Sequence, residues 1–166
     1  MGYGTRMSKD PLLRLLRHQG RATEAGLAEQ LSLTEEEVHA RVAAWEADGT
    51  IMGYQAVVDG SKNGVGVSAF IEVKVTPERG GGFDRLASRI AKFEQVSSCY
   101  LASGGYDLLL VVEGDDLMEV ARFVSEKLSS MDGVLSTATH FRLKTYKENG
   151  FLFHKDEDPA RLPVSP

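Results

Sequence analysis

The chain has 166 residues, 42% of them hydrophobic, a formal net charge of −5 and one cysteine, Cys99. That length buries a real core in one domain or two small ones, the acidic balance excludes a blanket nucleic-acid binder, and the lone cysteine excludes an internal disulfide or a cysteine-based zinc site. No run of about 18 apolar residues is present to span a membrane, the start MGYGTRMSKD lacks an apolar signal-peptide core, and the expected location is cytoplasmic.

Asp10-Pro11 makes a helix start, with Asp10 as the cap and Pro11 at the first helical position. Leu12, Leu13, Leu15 and Leu16 then gather on one side, opposite a basic face of Arg14, Arg17 and His18 that Arg21 continues. Leu27, Ala28 and Leu31 give a second helix its apolar stripe, and Val38, Val42 and Trp45 give a third helix another. Between these two, Thr34-Glu35-Glu36-Glu37 has the form of a capping box. The spacing predicts helices over 10–19, 23–31 and 34–48, the last two forming either a helix-turn-helix or an ordinary αα-hairpin. Residues 1–58 carry six Lys/Arg against eight Asp/Glu, and the remainder thirteen against sixteen. Neither part is basic, so any DNA affinity must come from local placement of positive charge.

Residues 54–58 read as an extended connector and 59–64 as a turn-rich link. The period then changes to strand alternation over 68–75, followed by a loop at 76–82 and a helix whose inward set is Phe83, Leu86, Ile90 and Phe93. Strands are expected at 96–102 and at 106–112, the latter almost continuously apolar and therefore central. Asp115 or Asp116 caps a helix presenting Leu117, Val120, Val124 and Leu128, Gly133 ends it, and 134–146 supplies a last long strand. The order is β-α-β-β-α-β, a ferredoxin-like arrangement. The final ten residues are polar and expected to be disordered.

Four stretches, GRATEAGLAEQLSLTEEEVHARV, GTIMGYQAVVD, SGGYDLLLVVEG and MDGVLSTATHFRLKTYK, make residues 10–148 resemble the Lrp/AsnC family of transcription regulators. The resemblance implies an α+β chain: a three-helix, winged helix-turn-helix at 8–53, a linker strand at 54–66, a ferredoxin-like effector and oligomerisation domain at 67–148, and a tail at 149–166. It also implies double-stranded DNA, a small-molecule effector that is usually an amino acid, and a homodimer or multiples of it as partners.

On that reading Arg21, Thr34, Glu35, His39 and Arg41 are the candidate DNA contacts. Family members place several basic residues along the middle of the third helix, where this chain has His39-Ala40 before Arg41 and Ala43-Ala44 after it. The three glutamates suit the helix dipole and repel phosphate, though a glutamate can accept from cytosine N4. Gly104, Gly105, Tyr106 and Asp107 are the candidate effector loop. A tight two-residue hairpin explains both glycines, while an acid heading an apolar strand suggests a partner for an α-ammonium group. Thr137 and Thr139 share one face of the last strand and are candidate carboxylate partners, or simply good strand formers. Alternation puts His140 on the opposite face. The four histidines, His18, His39, His140 and His154, show no close ligand spacing, and no metal, cofactor or catalytic constellation is expected. Two rival readings remain. Sirohaem decarboxylases resemble the same two-domain architecture, with His140 and Arg142 the only plausibly placed pair here. An effector-binding assembly protein with a weakened helix-turn-helix is the other.

Overall fold

The computed structural model describes residues 10–60, 66–76 and 82–153. The opening MGYGTRMSK, most of the 59–64 link, most of the 76–82 loop, His154 and the polar tail lie outside the described residues. The chain forms two compact units, one containing residues up to Val58 together with Lys147–Leu152, the other running from Asp59 to Tyr146.

The first unit is built on three helices, α1 (Pro11–His18), α2 (Glu24–Leu31) and α3 (Glu35–Ala47). Each starts where a side-chain oxygen takes an otherwise unpaired amide of the first turn. Asp10 Oδ1 accepts from Leu12 N at 2.9 Å, Thr23 Oγ1 from Gly26 N at 3.1 Å, and Thr34 Oγ1 from Glu37 N at 3.1 Å. At α3 the box is reciprocal, because Thr34 N donates to Glu37 Oε2 at 2.9 Å. Leu12, Leu27, Ala28 and Val38 form the buried centre, with Leu15, Leu16, Leu31, Val42 and Trp45 packed around it. The turn between α2 and α3 is three residues long and passes through Ser32 in the left-handed region, φ 55°.

Residues 52–59 pair with no other strand. A wing or a linker strand needs a ladder partner for its amides and carbonyls, and the described chain supplies none there.

The second unit places β1 (Val67–Val75), β2 (Val96–Leu101), β3 (Leu108–Gly114) and β4 (Val134–Phe141) in one antiparallel sheet of order β2-β3-β1-β4. Helix α4 (Gly82–Ile90) and helix α5 (Leu117–Arg122, continuing as a π-helical turn over Phe123–Leu128) cover one face. Ala69, Ile71, Val73 and Val75 of β1 and Leu108, Leu110 and Val112 of β3 meet Leu86, Ile90, Val120, Phe123 and Leu128 there. Phe93 and Phe123 close the layer edge to face, with ring centres 5.4 Å apart. The element order is the expected βαββαβ, and β3 is central as its apolar run implies.

The other face is open. Phe70 lies opposite Val111 and His140, Glu72 opposite Leu109 and Ala138, and Tyr100 opposite Leu109. Phe70 and Tyr100 are 39% and 55% exposed. Burial of both faces, implied by the apolar run at 106–112, is therefore not achieved within one chain.

Two boundaries depart from the sequence reading. The last strand stops at Phe141 rather than 146: one more ladder bond, from the Arg142 amide to the Ser68 carbonyl at 2.8 Å, brings it to the start of β1, which begins at Val67. The segment after it is no simple tail. β5 (Lys147–Glu148) and β6 (Phe151–Leu152) form a hairpin turned by Asn149 and Gly150, with φ 47° and 92°. Asn-Gly is the residue pair that a two-residue turn with both central φ positive selects, so the signal was present in the sequence.

Candidate functional site

In the first unit, α3 turns Val38, Val42 and Trp45 into the core, which leaves Glu36, Ala40, Ala43 and Ala47 exposed along its opposite side. The polar side chains expected to reach DNA are held within the unit. Arg41 Nη1 sits 3.6 Å from Asp10 Oδ2, so the cap of α1 and the arginine of α3 share one carboxylate. His39 Nδ1 lies 2.9 Å from Glu24 Oε1 in the first turn of α2. The Thr34 hydroxyl both accepts from Glu37 N and approaches Glu37 Oε2 at 3.2 Å, so it is engaged in the capping box. The Thr34 amide and then its hydroxyl hold the Glu37 carboxyl below the ordinary carboxylate range. A depressed carboxyl stabilises the helix start above its unfolded pKa and loses that contribution as the pH falls through its folded value. Glu35 is exposed beside the box.

Arg14, Arg17, His18 and Arg21 are all exposed at α1 and just beyond it. Arg17, His18 and Arg21 line an open groove of about 820 Å³ that residues 53–57 and the Asn149-Gly150 turn border. The basic face is thus concentrated at one end of α1, while α2 carries no Lys or Arg.

In the second unit the loop between β2 and β3 is longer than a two-residue hairpin. It runs from Ala102 to Asp107, closed by Ala102 N donating to Asp107 O at 2.8 Å. Gly104 sits at φ 143° with open space around it, and Gly105 needs no positive φ. Asp107 is engaged with β1 as well. Its amide donates to Val73 O at 3.0 Å, and its half-buried carboxylate accepts from Val75 N at 2.8 Å. That amide lies where the β1–β4 register shifts between Lys74 and Val75, so Asp107 caps an irregularity in the ladder. Tyr106 beside it is half-buried.

Thr137 and Thr139 lie opposite Val73 and Ile71, which puts them on the helix-covered face, half-buried. Thr137 Oγ1 is 3.3 Å from Ser129 Oγ at the end of the π-helical turn. Thr137 and Asp107 therefore flank the same residue, Val73, from opposite sides, two strand spacings or about 10 Å apart. They share one end of the sheet without touching. His140 occupies the opposite, open face, with Nε2 3.4 Å from Glu72 Oε1.

At that same end the sequence reading missed a pair of cations. Arg85 and Arg89, one helical turn apart on α4, line a cleft of about 130 Å³ with Val75, Thr76 and Asp132. Val75 thus joins the two features: its amide is held by Asp107, and it lines the arginine cleft that Asp132 shares. The i, i+4 spacing was the available signal, but it reads equally as a solvated helix face. No group of three or more His, Cys, Asp or Glu side chains suited to a metal occurs among the described residues, and no described helix is long and apolar enough to cross a membrane.

The Lrp/AsnC ligand binding domain profile matches residues 68–152. A Bacillus subtilis HTH-type transcriptional regulator, YugG, is 44% identical over 157 residues, covering 93% of this chain and 95% of its own. A proline dehydrogenase transcriptional activator of Rhizobium radiobacter is 30% identical over 139 residues, 84% of this chain and 89% of its own. Among solved structures, a Neisseria meningitidis transcriptional regulator in complex with L-Met superimposes with a TM-score of 0.68 at 28% identity, covering 82% of this chain and 88% of that one.

Proposed function

Because the chain belongs to the Lrp/AsnC family of transcriptional regulators, we propose that it is an amino-acid-responsive regulator that binds double-stranded DNA as a homodimer or a multiple of one. The observation that carries the effector half is Asp107, whose carboxylate accepts from the amide of Val75, a residue that also lines the cleft of Arg85 and Arg89. An α-amino acid carries one ammonium and one carboxylate, and a site that takes both needs fixed groups of opposite sign a few ångströms apart. Asp107, approached through Gly104, Gly105 and Tyr106, takes the ammonium. The carboxylate is taken by Thr137 and Thr139 or by the arginine pair, and the arginines are favoured as charged, bidentate donors. A relative's complex with L-Met agrees with an amino acid as the class of effector.

The DNA half rests on the exposed side of α3 and the basic end of α1, with Arg21 and Arg41 as the contacts that matter most and Thr34, Glu35 and His39 at the margin of the groove. The mechanism is linkage: the effector favours one assembly of dimers, and the assembly sets which α3 pairs reach adjacent grooves. The sirohaem-decarboxylase reading is not favoured, since the relatives are named transcriptional regulators.

Binding to duplex DNA across a salt series tests the DNA half. With few cations on the unit, the log–log slope should be shallow, on the order of −4 to −5 for four to six neutralised phosphates. Arg41→Ala should cost about 1–3 kcal/mol if it reads a base edge. Asp10→Asn keeps a capping oxygen for Leu12 N while removing the charge that holds Arg41, and should strengthen binding. No duplex binding in wild type would favour the assembly protein. Binding that neither variant alters would make Arg41 a brace between α1 and α3.

A further inference from the structure

The side of α3 turned away from the core is a row of Glu36, Ala40, Ala43 and Ala47, at i, i+4, i+7 and i+11, with Ala44 beside it, all exposed. Four exposed alanines on an outward helix face are not required by the fold, since Val38, Val42 and Trp45 supply its core contacts. The longer polar neighbours, His39 and Arg41, are drawn sideways to Glu24 and Asp10. Beyond the first turn, the side of the helix opposite the core is therefore a narrow strip of methyl groups, with the exposed His39 and Arg41 on its flanks.

We propose that α3 reads thymine C5-methyl groups in the major groove through Ala40, Ala43 and Ala47. The proposal rests on the DNA-binding reading above and specifies what that surface recognises. An alanine adds almost no height to a helix, so the strip can lie close to the groove floor. Thymine is the one base that projects a methyl group there, and alanine is a recurrent partner for it. Guanine and cytosine present only polar edges to the same strip, and covering those edges with methyl groups strips their water without replacing the hydrogen bonds. Selectivity thus has an attractive part at thymine and a repulsive part at G·C pairs. Glu36, at the N-terminal end of the row, marks where the apolar strip stops.

The test leaves the protein unaltered, so no variant has to fold. Full-length wild type is used to recover bound duplexes from a random pool, and each thymine of a recovered site is then exchanged for uracil, which removes only the methyl group. At two or three positions per half-site the exchange should weaken binding about fourfold each, as expected for one buried methyl. Placing 5-methylcytosine at those positions should bind more tightly than placing cytosine, because the methyl group returns on a different base. Recovered duplexes that hold affinity on uracil exchange would overturn the methyl reading while leaving DNA binding intact. Failure to recover any duplex would overturn both.

Discussion

Asp107→Asn is expected to abolish detectable amino-acid binding at unchanged stability, and Asp107→Ala to lose both. The two substitutions separate the roles that the carboxylate combines. One oxygen accepts the Val75 amide at 2.8 Å where the β1–β4 register shifts. Asparagine keeps an acceptor there and alanine does not, so the alanine variant leaves a part-buried N–H without a partner, a loss of about 1–3 kcal/mol. Both variants remove the negative charge assigned to the effector ammonium, and truncating one partner of a desolvated charge pair costs about 2–5 kcal/mol of binding. Calorimetry against the twenty amino acids, with urea unfolding in parallel, reads the two effects apart. An asparagine variant that binds like wild type would make Asp107 purely a ladder residue and move the ammonium site elsewhere.

Val111→Asp is expected to convert the assembly into monomers while the chain stays folded. Val111 lies half-buried in the centre of the open sheet face, opposite Phe70 on one neighbour and Ser98 on the other. Within one chain a carboxylate at that position keeps access to water. Under a partner's sheet it would be desolvated, and twice over, since a two-fold interface repeats every residue. Against a standard interface of about 1,600 Å², two unpaired buried carboxylates should shift dissociation beyond micromolar concentrations. Light scattering should find wild type at twice the 18.1 kDa chain mass, or a larger multiple, and the variant at the chain mass itself. An unchanged mass in the variant would place the interface on another surface, and a monomeric wild type would remove the dimer from the account.

Local chemistry made the helical unit legible: Asp10-Pro11 and the Thr34–Glu37 box cap where the structure caps, and the apolar stripes of α2 and α3 are the ones buried. The sheet order was readable for β3, whose apolar run marks a strand with neighbours on both sides. Pairings across long separations were not. Arg41 meets Asp10 across 31 positions and Asp107 meets Val75 across 32, and no periodicity encodes which carboxylate a side chain will find. Alternation put Thr137 and Thr139 together but left open which face they take; pairing with Val73 and Ile71 places them against the helices. Residues 54–59 of the linker make no ladder among the described residues, and strand propensity says nothing about whether a ladder partner exists. The Asn149-Gly150 hairpin, by contrast, is encoded locally, in a residue pair that selects the turn.

The most direct test of amino-acid-responsive DNA binding is fluorescence anisotropy of a labelled duplex recovered from a random pool, titrated with wild type in the absence and presence of each of the twenty amino acids. At least one amino acid should move the DNA affinity by about 5- to 150-fold, the span of a 1–3 kcal/mol coupling. An affinity that stays the same with all twenty would contradict the account.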